Sequence, residues 1–460
     1  MDVVRAEVSG GVRLPAASII MSDSCLLEPA GRKLKSLDGL RAMAIILVFL
    51  HHMDDHIPGL SAVSSYLRGY VGQGWVGVDL FFALSGFLIT GILIDSREAK
   101  NYFSGFYARR ALRIFPLYYL VLIGLIVASV ILTKVGAESA SEVASMVPLP
   151  EDRWTFFFFL TNWIGLWKAH WDANFGSILA HFWSLGVEEQ FYFFWPLIVW
   201  MARPRAIPWI AGSLAALSVV IRFAWAAHIG VQMLVMPVSV EIGFATICRL
   251  DGLFIGALCA YFFREAAIME RIRKWLPWVA TAGVGAYFLA YSAMLFFSDR
   301  VDLLIYGASP AIDHSMDDEI RLFLEFGGYT ALALGFGALV LFAACTEADN
   351  GWFQRFLKSK VLAPIGRYSY GIYVFHVPIL GLANLYLLQT MVNGTGVQLI
   401  LREYGYIAFI ALLSFGIAAL SYEFFEKKIL NFKRKFEPRY APASGARTLA
   451  ESTIEVQMES

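Results

Sequence analysis

Cysteine is scarce in this chain. There are four in 460 residues (Cys25, Cys248, Cys259 and Cys345), and no two stand in a CxxC spacing. That scatter excludes a disulfide framework and supplies no zinc-ligand set, so no metal site is expected and the cysteines read as packing residues. Charge is scarce too. Charged residues make up 16% of the chain, and 37 basic against 37 acidic side chains leave a formal net charge of zero. Such a balance carries no electrostatic footprint for nucleic acid, which is excluded as a partner. Residues 1–30 lack the basic stretch, compact apolar run and small-residue cleavage site of a secretory leader. No cleaved signal peptide is expected, and the first apolar helix is itself the targeting signal.

What is abundant is apolar surface: 58% of residues are hydrophobic and the mean hydropathy is +0.60, far from the averages of soluble domains. A bilayer-length window finds apolar segments at 37–53, 74–94, 115–133, 154–168, 181–201, 207–227, 244–263, 275–297, 322–344, 368–391 and 404–425. The segment 154–168 falls short of the roughly 20 residues a crossing needs. Its aromatic string, Trp154, Phe156 to Phe159, Trp163 and Trp167, suits an interfacial or re-entrant piece. Leaving it out puts Arg97, Arg109, Arg110, Arg113, Arg203, Arg205, Arg264, Arg271, Arg355, Lys358 and Lys427 on the side of the N-terminus. Basic loops mark the cytoplasm. The expected architecture is therefore an all-α integral membrane protein, with about ten transmembrane helices, one short re-entrant segment and both termini cytoplasmic. Residues 1–35 read as a disordered cytoplasmic segment, 36–430 as the membrane domain and 431–460 as a polar cytoplasmic tail. No hydrolase-like domain is expected after the membrane core.

Polar residues at membrane depth are costly unless they meet partners or water, so they are where function is sought. Arg41 and His52 lie eleven residues apart in the first segment, on one helical face and roughly 16 Å apart along the axis. Histidine is the natural proton handler. Asp79 lies in the outer part of the second segment. Glu188 and Glu189 sit about two turns below the outer surface, where each ionised carboxylate costs roughly 3 kcal/mol. Arg249 and Asp251 occupy a similar level. Some of these have plain structural readings. Arg109, Arg110 and Arg113 also suit positive-inside anchoring, Arg249 with Asp251 suits a buried packing pair, and His376 suits a bond to a carbonyl on a neighbouring helix. His51, about 100° round the helix from His52, faces another way.

Several strings now fall in register. Leu37-Asp38-Gly39-Leu40-Arg41 through His52 is followed by Gly77-Val78-Asp79 through Ser85-Gly86 and by Phe106-Tyr107-Ala108-Arg109-Arg110-Ala111-Leu112-Arg113. Trp183-Ser184-Leu185-Gly186-Val187-Glu188-Glu189-Gln190-Phe191-Tyr192, Arg249-Leu250-Asp251-Gly252, His376-Val377-Pro378 and Ser421-Tyr422 with Glu426 complete the series. Across residues 36–430 this order resembles the acyltransferase-3 family of integral membrane O-acyltransferases. The resemblance implies transfer of an acyl group, usually acetyl, from acyl-CoA to a hydroxyl of a carbohydrate or other small acceptor. It implies that His52 is the catalytic histidine and that Arg41 and the Arg109–Arg113 cluster are functional. Three positions depart from the pattern: Gly186 stands where serine is common, expected to loosen the Glu188 region; Lys428 replaces a usual proline; and His51 adds a second histidine.

The chemistry fits that implication. Guanidinium groups bind phosphate in bidentate fashion, so Arg109, Arg110 and Arg113 are expected to hold a cytosolic acyl-CoA donor at the inner mouth, with Arg41 lining the thioester path or fixing Asp38. His52, oriented by Asp79 or by a carboxylate of the Glu188–Glu189 pair, is expected to act as general base on the acceptor hydroxyl. Direct transfer and an acyl-histidine relay both remain open. Ser85, Trp183, Arg249, Asp251 and His376 complete the expected site. No permanently bound cofactor is expected, membrane lipids are the surroundings, and the chain is expected in a bacterial inner membrane. The acceptor and the oligomeric state are not legible; lipopolysaccharide and peptidoglycan are among the acceptors considered. The rival class, a transporter or exporter without chemistry, is disfavoured because no internal repeat relates the two halves.

Overall fold

The architecture comes from a computed structural model. It describes residues 34–56, 65–136, 143, 146–148, 150–164, 178–232, 244–305, 327–391 and 397–440. Among them secondary structure is entirely helical, as a bilayer requires when every backbone polar group must be satisfied within the segment. Ten helices of 17 residues or more form the body: α1 (Lys35–His56), α2 (Val76–Asp95), α3 (Tyr102–Lys134), α4 (Trp183–Met201), α5 (Ile207–Gln232), α6 (Thr246–Arg264), α7 (Leu276–Ile305), α8 (Tyr329–Cys345), α9 (Leu362–Met391) and α10 (Val397–Ser421). Each corresponds to one of the apolar segments other than 154–168. Seven membrane-length stretches among the described residues are long and apolar enough to cross a membrane. The chain is a multi-pass helical membrane protein.

Burial sorts these helices into a centre and a rim. The apolar windows around α2 and α6 are 72% and 67% buried within the protein, whereas the window in the α10 region is 17% buried. α2 and α6 pack in parallel at a small-residue seam. A Cβ on Gly86 would lie 1.9 Å from the Leu253 carbonyl oxygen, and one on Gly256 would lie 2.2 Å from that of Ala83. Such seams let helix backbones touch where lipid offers no hydrophobic drive to associate. α9 lies beside α1 and runs parallel to it, with Gly366 against the Asp38 backbone and His376 against His52.

The segment 154–168 does not form a continuous helix. Its described residues make a single short turn of helix, Arg153–Phe157, and a 3-10 turn, Thr161–Trp163, joined through Phe159 at φ 56°. A phenylalanine in the left-handed region is strained. Gln190 of α4 holds the bend by donating to the Phe159 carbonyl at 2.8 Å and to Asn162 Oδ1 at 2.9 Å. Gly186 makes this contact possible, since a Cβ there would sit 2.9 Å from the Phe159 carbonyl oxygen. The glycine therefore lets the bend pack closely on α4.

The first part of the polar tail lies among the described residues. A π-turn at Tyr422–Glu426 and the helix Lys427–Leu430 lead into a 3-10 stretch, Asn431–Phe436, that packs on α3. Residues 1–33 and 441–460 lie outside the described residues.

Candidate functional site

Five helices each turn one stripe towards a common cavity. α3 supplies Arg110, Arg113 and Ile114, α4 supplies Ser184, Leu185, Glu188 and Tyr192, and α9 supplies Ser369, Tyr370 and Tyr373. α2 adds Phe81 and Ser85, and α1 adds Arg41. These positions recur at three- and four-residue intervals, the spacing that brings side chains onto one helical face. The cavity measures about 110 Å³. A water's share of liquid is about 30 Å³, so the space admits a few waters or a thin chain but no nucleotide.

One end of the cavity is basic. Arg41 lines the cavity and bonds Asp38 one turn back at 3.1 Å, as expected of the second of its two roles. Arg110 lies over the Tyr192 ring at 5.5 Å. Arg109 is separated from its neighbours: it donates to the Phe436 carbonyl and holds the C-terminal stretch, and it does not line the cavity. The arginine trio thus divides into two cavity residues and one anchor.

The middle is acidic and fully hydrogen-bonded at Glu188. Ser85 Oγ donates to one carboxylate oxygen at 2.8 Å and Tyr192 Oη to the other at 2.8 Å. Glu189, on the next residue, faces away from this bonding; one of its carboxylate oxygens is buried with no hydrogen-bond partner among the described residues.

At the far end stand three histidines, brought together by α1, α9 and the 3-10 turn Ala180–Phe182 that leads into α4. The His52 ring lies 4.9 Å from that of His376 and 6.0 Å from that of His181. His52 Nδ1 is 2.9 Å from the Val48 carbonyl oxygen and 3.4 Å from His376 Nε2. The carbonyl can only accept, so the proton resides on Nδ1 and Nε2 carries the lone pair. His376 Nδ1 in turn donates to the carbonyls of Ile372 and Tyr373, at 3.0 and 2.8 Å, which leaves its Nε2 to accept from His52. The carbonyl role anticipated for His376 is present, but on its own helix, and the residue contacts the central histidine as well. His51 is directed elsewhere, to the Gly72 carbonyl at 2.6 Å. Among the described residues no group of three His, Cys, Asp or Glu side chains is disposed to hold a metal ion.

Tyr373 stands between the cavity and the histidines. Its hydroxyl donates to the His181 carbonyl and lies 2.8 Å from Ser184 Oγ, and its own carbonyl accepts from both His181 Nε2, at 3.0 Å, and His376. Neither His181 nor Tyr373 stands out in the sequence. His181 stands three residues before Ser184, in the 3-10 turn that enters a helix with two carboxylates, and that spacing is the signal that could have found it.

Two of the carboxylates expected to orient His52, Asp79 and Glu188, have other partners. Asp79 pairs with Arg249 at 2.8 Å, both buried, and Glu188 is held by Ser85 and Tyr192. Arg249 and Asp251 do not pair with each other; Asp251 pairs with Arg222 of α5, a residue with no motif to mark it. Arg249 is enclosed by aromatic faces, 3.8 Å from the Tyr329 centroid and 5.9 Å from that of Trp183. Trp183 is therefore part of a buried cation enclosure, not of the cavity lining.

The acyltransferase domain family matches residues 34–424, most of the chain. The chain belongs to the acyltransferase-3 family. Among similar proteins, O-acetyltransferase OatA of Staphylococcus aureus is 28% identical over 407 residues, covering 86% of this chain and 57% of that protein. Peptidoglycan O-acetyltransferase OatA of Listeria monocytogenes is 27% identical over 404 residues, covering 86% and 55%. A putative peptidoglycan O-acetyltransferase of Bacillus subtilis, YrhL, is 27% identical over 411 residues with the same coverage. The chain thus spans little more than half the length of these relatives. No solved structure is significantly similar to it.

Proposed function

We propose that this member of the acyltransferase-3 family is a membrane-embedded O-acetyltransferase, taking the acetyl group from cytosolic acetyl-CoA and delivering it to a carbohydrate hydroxyl across the bilayer. One observation carries the reading: a single cavity leads from paired arginines to the Ser184–Tyr373 layer on which a three-histidine cluster rests. Arg110 and Arg113 supply guanidinium forks for the donor's phosphates. The thioester arm extends past Arg41 and Glu188, and displacement of the Tyr373 side chain brings the carbonyl to the histidines.

In this reading His52 Nε2 accepts the proton of the acceptor hydroxyl as its oxygen attacks the thioester carbon, and the coenzyme leaves as thiolate. His376, by accepting from His52 Nδ1, fixes the tautomer and ring orientation that such a base needs. The names of the bacterial relatives favour peptidoglycan as the acceptor. Membranes containing the protein are expected to pass label from radiolabelled acetyl-CoA to a glycan fraction. His52→Ala should abolish that transfer while the detergent-extracted protein keeps its elution profile. Full residual turnover in that variant would remove His52 from the chemistry.

A further inference from the structure

The family match ends at residue 424, yet the chain beyond it folds back against α3, the helix that carries Arg110 and Arg113. Five contacts fasten this strap. Asn101 Nδ2 donates to the Glu437 carbonyl at 2.9 Å and Asn101 Oδ1 accepts from the Arg439 amide at 2.8 Å. The Lys100 amide donates to the Arg439 carbonyl at 2.8 Å, Tyr440 Oη donates to the Asp95 carbonyl at 3.0 Å, and Arg109 donates to the carbonyl of Phe436. Within the strap Lys433 is half-buried, and the charges acting on it are those of Arg113, Arg110 and Arg109.

Cations do not gather without a counter-charge. Lys358, Lys427, Arg264 and Arg273 each meet a carboxylate within 4 Å. Among the described residues, Arg110, Arg113 and Lys433 have no ion pair and no side-chain hydrogen bond. The acids whose fields reach the cluster are Glu426 at Arg113 and Glu188 and Glu189 at Arg110; Glu426 is bonded to Ser421 at 3.3 Å and Glu188 to Ser85 and Tyr192, and none of them forms an ion pair with these cations. Arg110 and Arg113 line one end of the cavity, Lys433 acts on both from the strap beside α3, and none of the three is bonded to an acceptor, which makes a site for a multiply charged anion.

We infer that Lys433, carried on the C-terminal strap, completes with Arg110 and Arg113 a clamp for the phosphate groups of the acyl-CoA donor. This deepens the proposed function and rests on its donor assignment. The strap supplies an ammonium where the membrane helices supply guanidinium forks, so the nucleotide head is gripped outside the cavity while the thin arm enters it. An anionic lipid headgroup presents the same phosphate chemistry, and the test separates the two.

Coenzyme A binding to the purified full-length protein would be measured in nanodiscs of neutral phosphatidylcholine and in nanodiscs containing phosphatidylglycerol. Lys433→Ala is expected to raise the Kd for coenzyme A about tenfold in the neutral discs, the size of a lost charge-assisted contact, with Lys433→Arg restoring most of it. The KM for acetyl-CoA should rise in step while kcat stays near the wild-type value. Asn101→Ala loosens the strap without removing a charge and should produce a smaller rise, separating loss of the ammonium from loss of the fold-back. Unchanged coenzyme A affinity in Lys433→Ala, with normal binding by wild type, overturns the clamp and leaves the donor assignment standing. A defect seen only in phosphatidylglycerol discs assigns the cluster to lipid and overturns it as well. Failure of the wild-type protein to bind coenzyme A in either disc would instead overturn the donor assignment, and the clamp with it.

Discussion

At the scale of single residues, the buried charges are the sharpest features. The Asp79–Arg249 pair has side chains 4% and 2% exposed, and removing one partner strands the other in an apolar interior. Arg249→Met should therefore destabilise the protein by about 3–5 kcal/mol, with the Asp79→Leu/Arg249→Met double variant recovering much of the loss. Thermal unfolding in detergent reads both, and equal melting temperatures for single and double variants would show that the two do not act as a pair. The sequence marks Asp79, Arg249 and Asp251 but suggests the wrong partners for them. Positions 249 and 251 are two apart on a helix, about 200° round, and cannot face each other. Helical phase alone excludes that pairing, but the identities of the true partners, Asp79 and Arg222, depend on how α2, α5 and α6 associate. Arg41, His52, Glu188, Arg110 and Arg113 are legible because each breaks an apolar run. Tyr373 is not, because a tyrosine in a membrane helix breaks nothing, and its position beneath His181 exists only once α4 and α9 are packed.

At the same scale, the cavity can be probed at Glu188. Ser85→Ala removes one of its two side-chain donors and should lower transfer to a measurable but incomplete degree, about tenfold for one hydrogen bond to a charged group. Glu188→Gln keeps the shape and loses the charge facing Arg110. If the carboxylate only fixes packing, labelled-acetyl transfer by Glu188→Gln will equal that of wild type.

Elements bring a different kind of constraint. The seam of α2 and α6 depends on glycine at 86 and 256, where a side chain would meet backbone oxygen at less than van der Waals distance. Gly86→Val forces the helices apart and should cost about 1–3 kcal/mol or more, visible as a lowered melting temperature. Gly186→Val should instead act locally, displacing the bend at Phe159 and the network through Gln190. A limited-proteolysis site appearing near residue 160 would report it, and an unchanged digest would show that the bend does not lean on position 186. The helix segments are readable because length and hydropathy are properties of one segment at a time. The rejection of 154–168 as a crossing rests on length, and the structure supplies the reason in a bend at Phe159. The docking of residues 431–440 is not readable, since a lysine-rich stretch looks the same whether solvated or laid against α3.

For the whole molecule, the organising feature is polarity from end to end: arginines and Lys433 at one pole, histidines at the other, and carboxylate and hydroxyl groups between. With Cys25, Cys248, Cys259 and Cys345 replaced, a cysteine at position 113 should react with a membrane-impermeant maleimide from one face of the bilayer and a cysteine at position 51 from the opposite face. Labelling of both from the same face would refute the transmembrane arrangement.

The layer formed by Ser184 and Tyr373 has a consequence for the cell that hosts this protein. A tube open from the cytosol to the exterior, lined with imidazole and carboxylate, would conduct hydrogen ions and run down the electrochemical gradient that powers the membrane. The Tyr373 ring, held between the cavity and the histidines by Ser184 and the His181 carbonyl, is expected to keep the bilayer insulating between turnovers, so leakage through a small substitution at position 373 should be detectable as dissipation of a pH difference imposed on sealed vesicles.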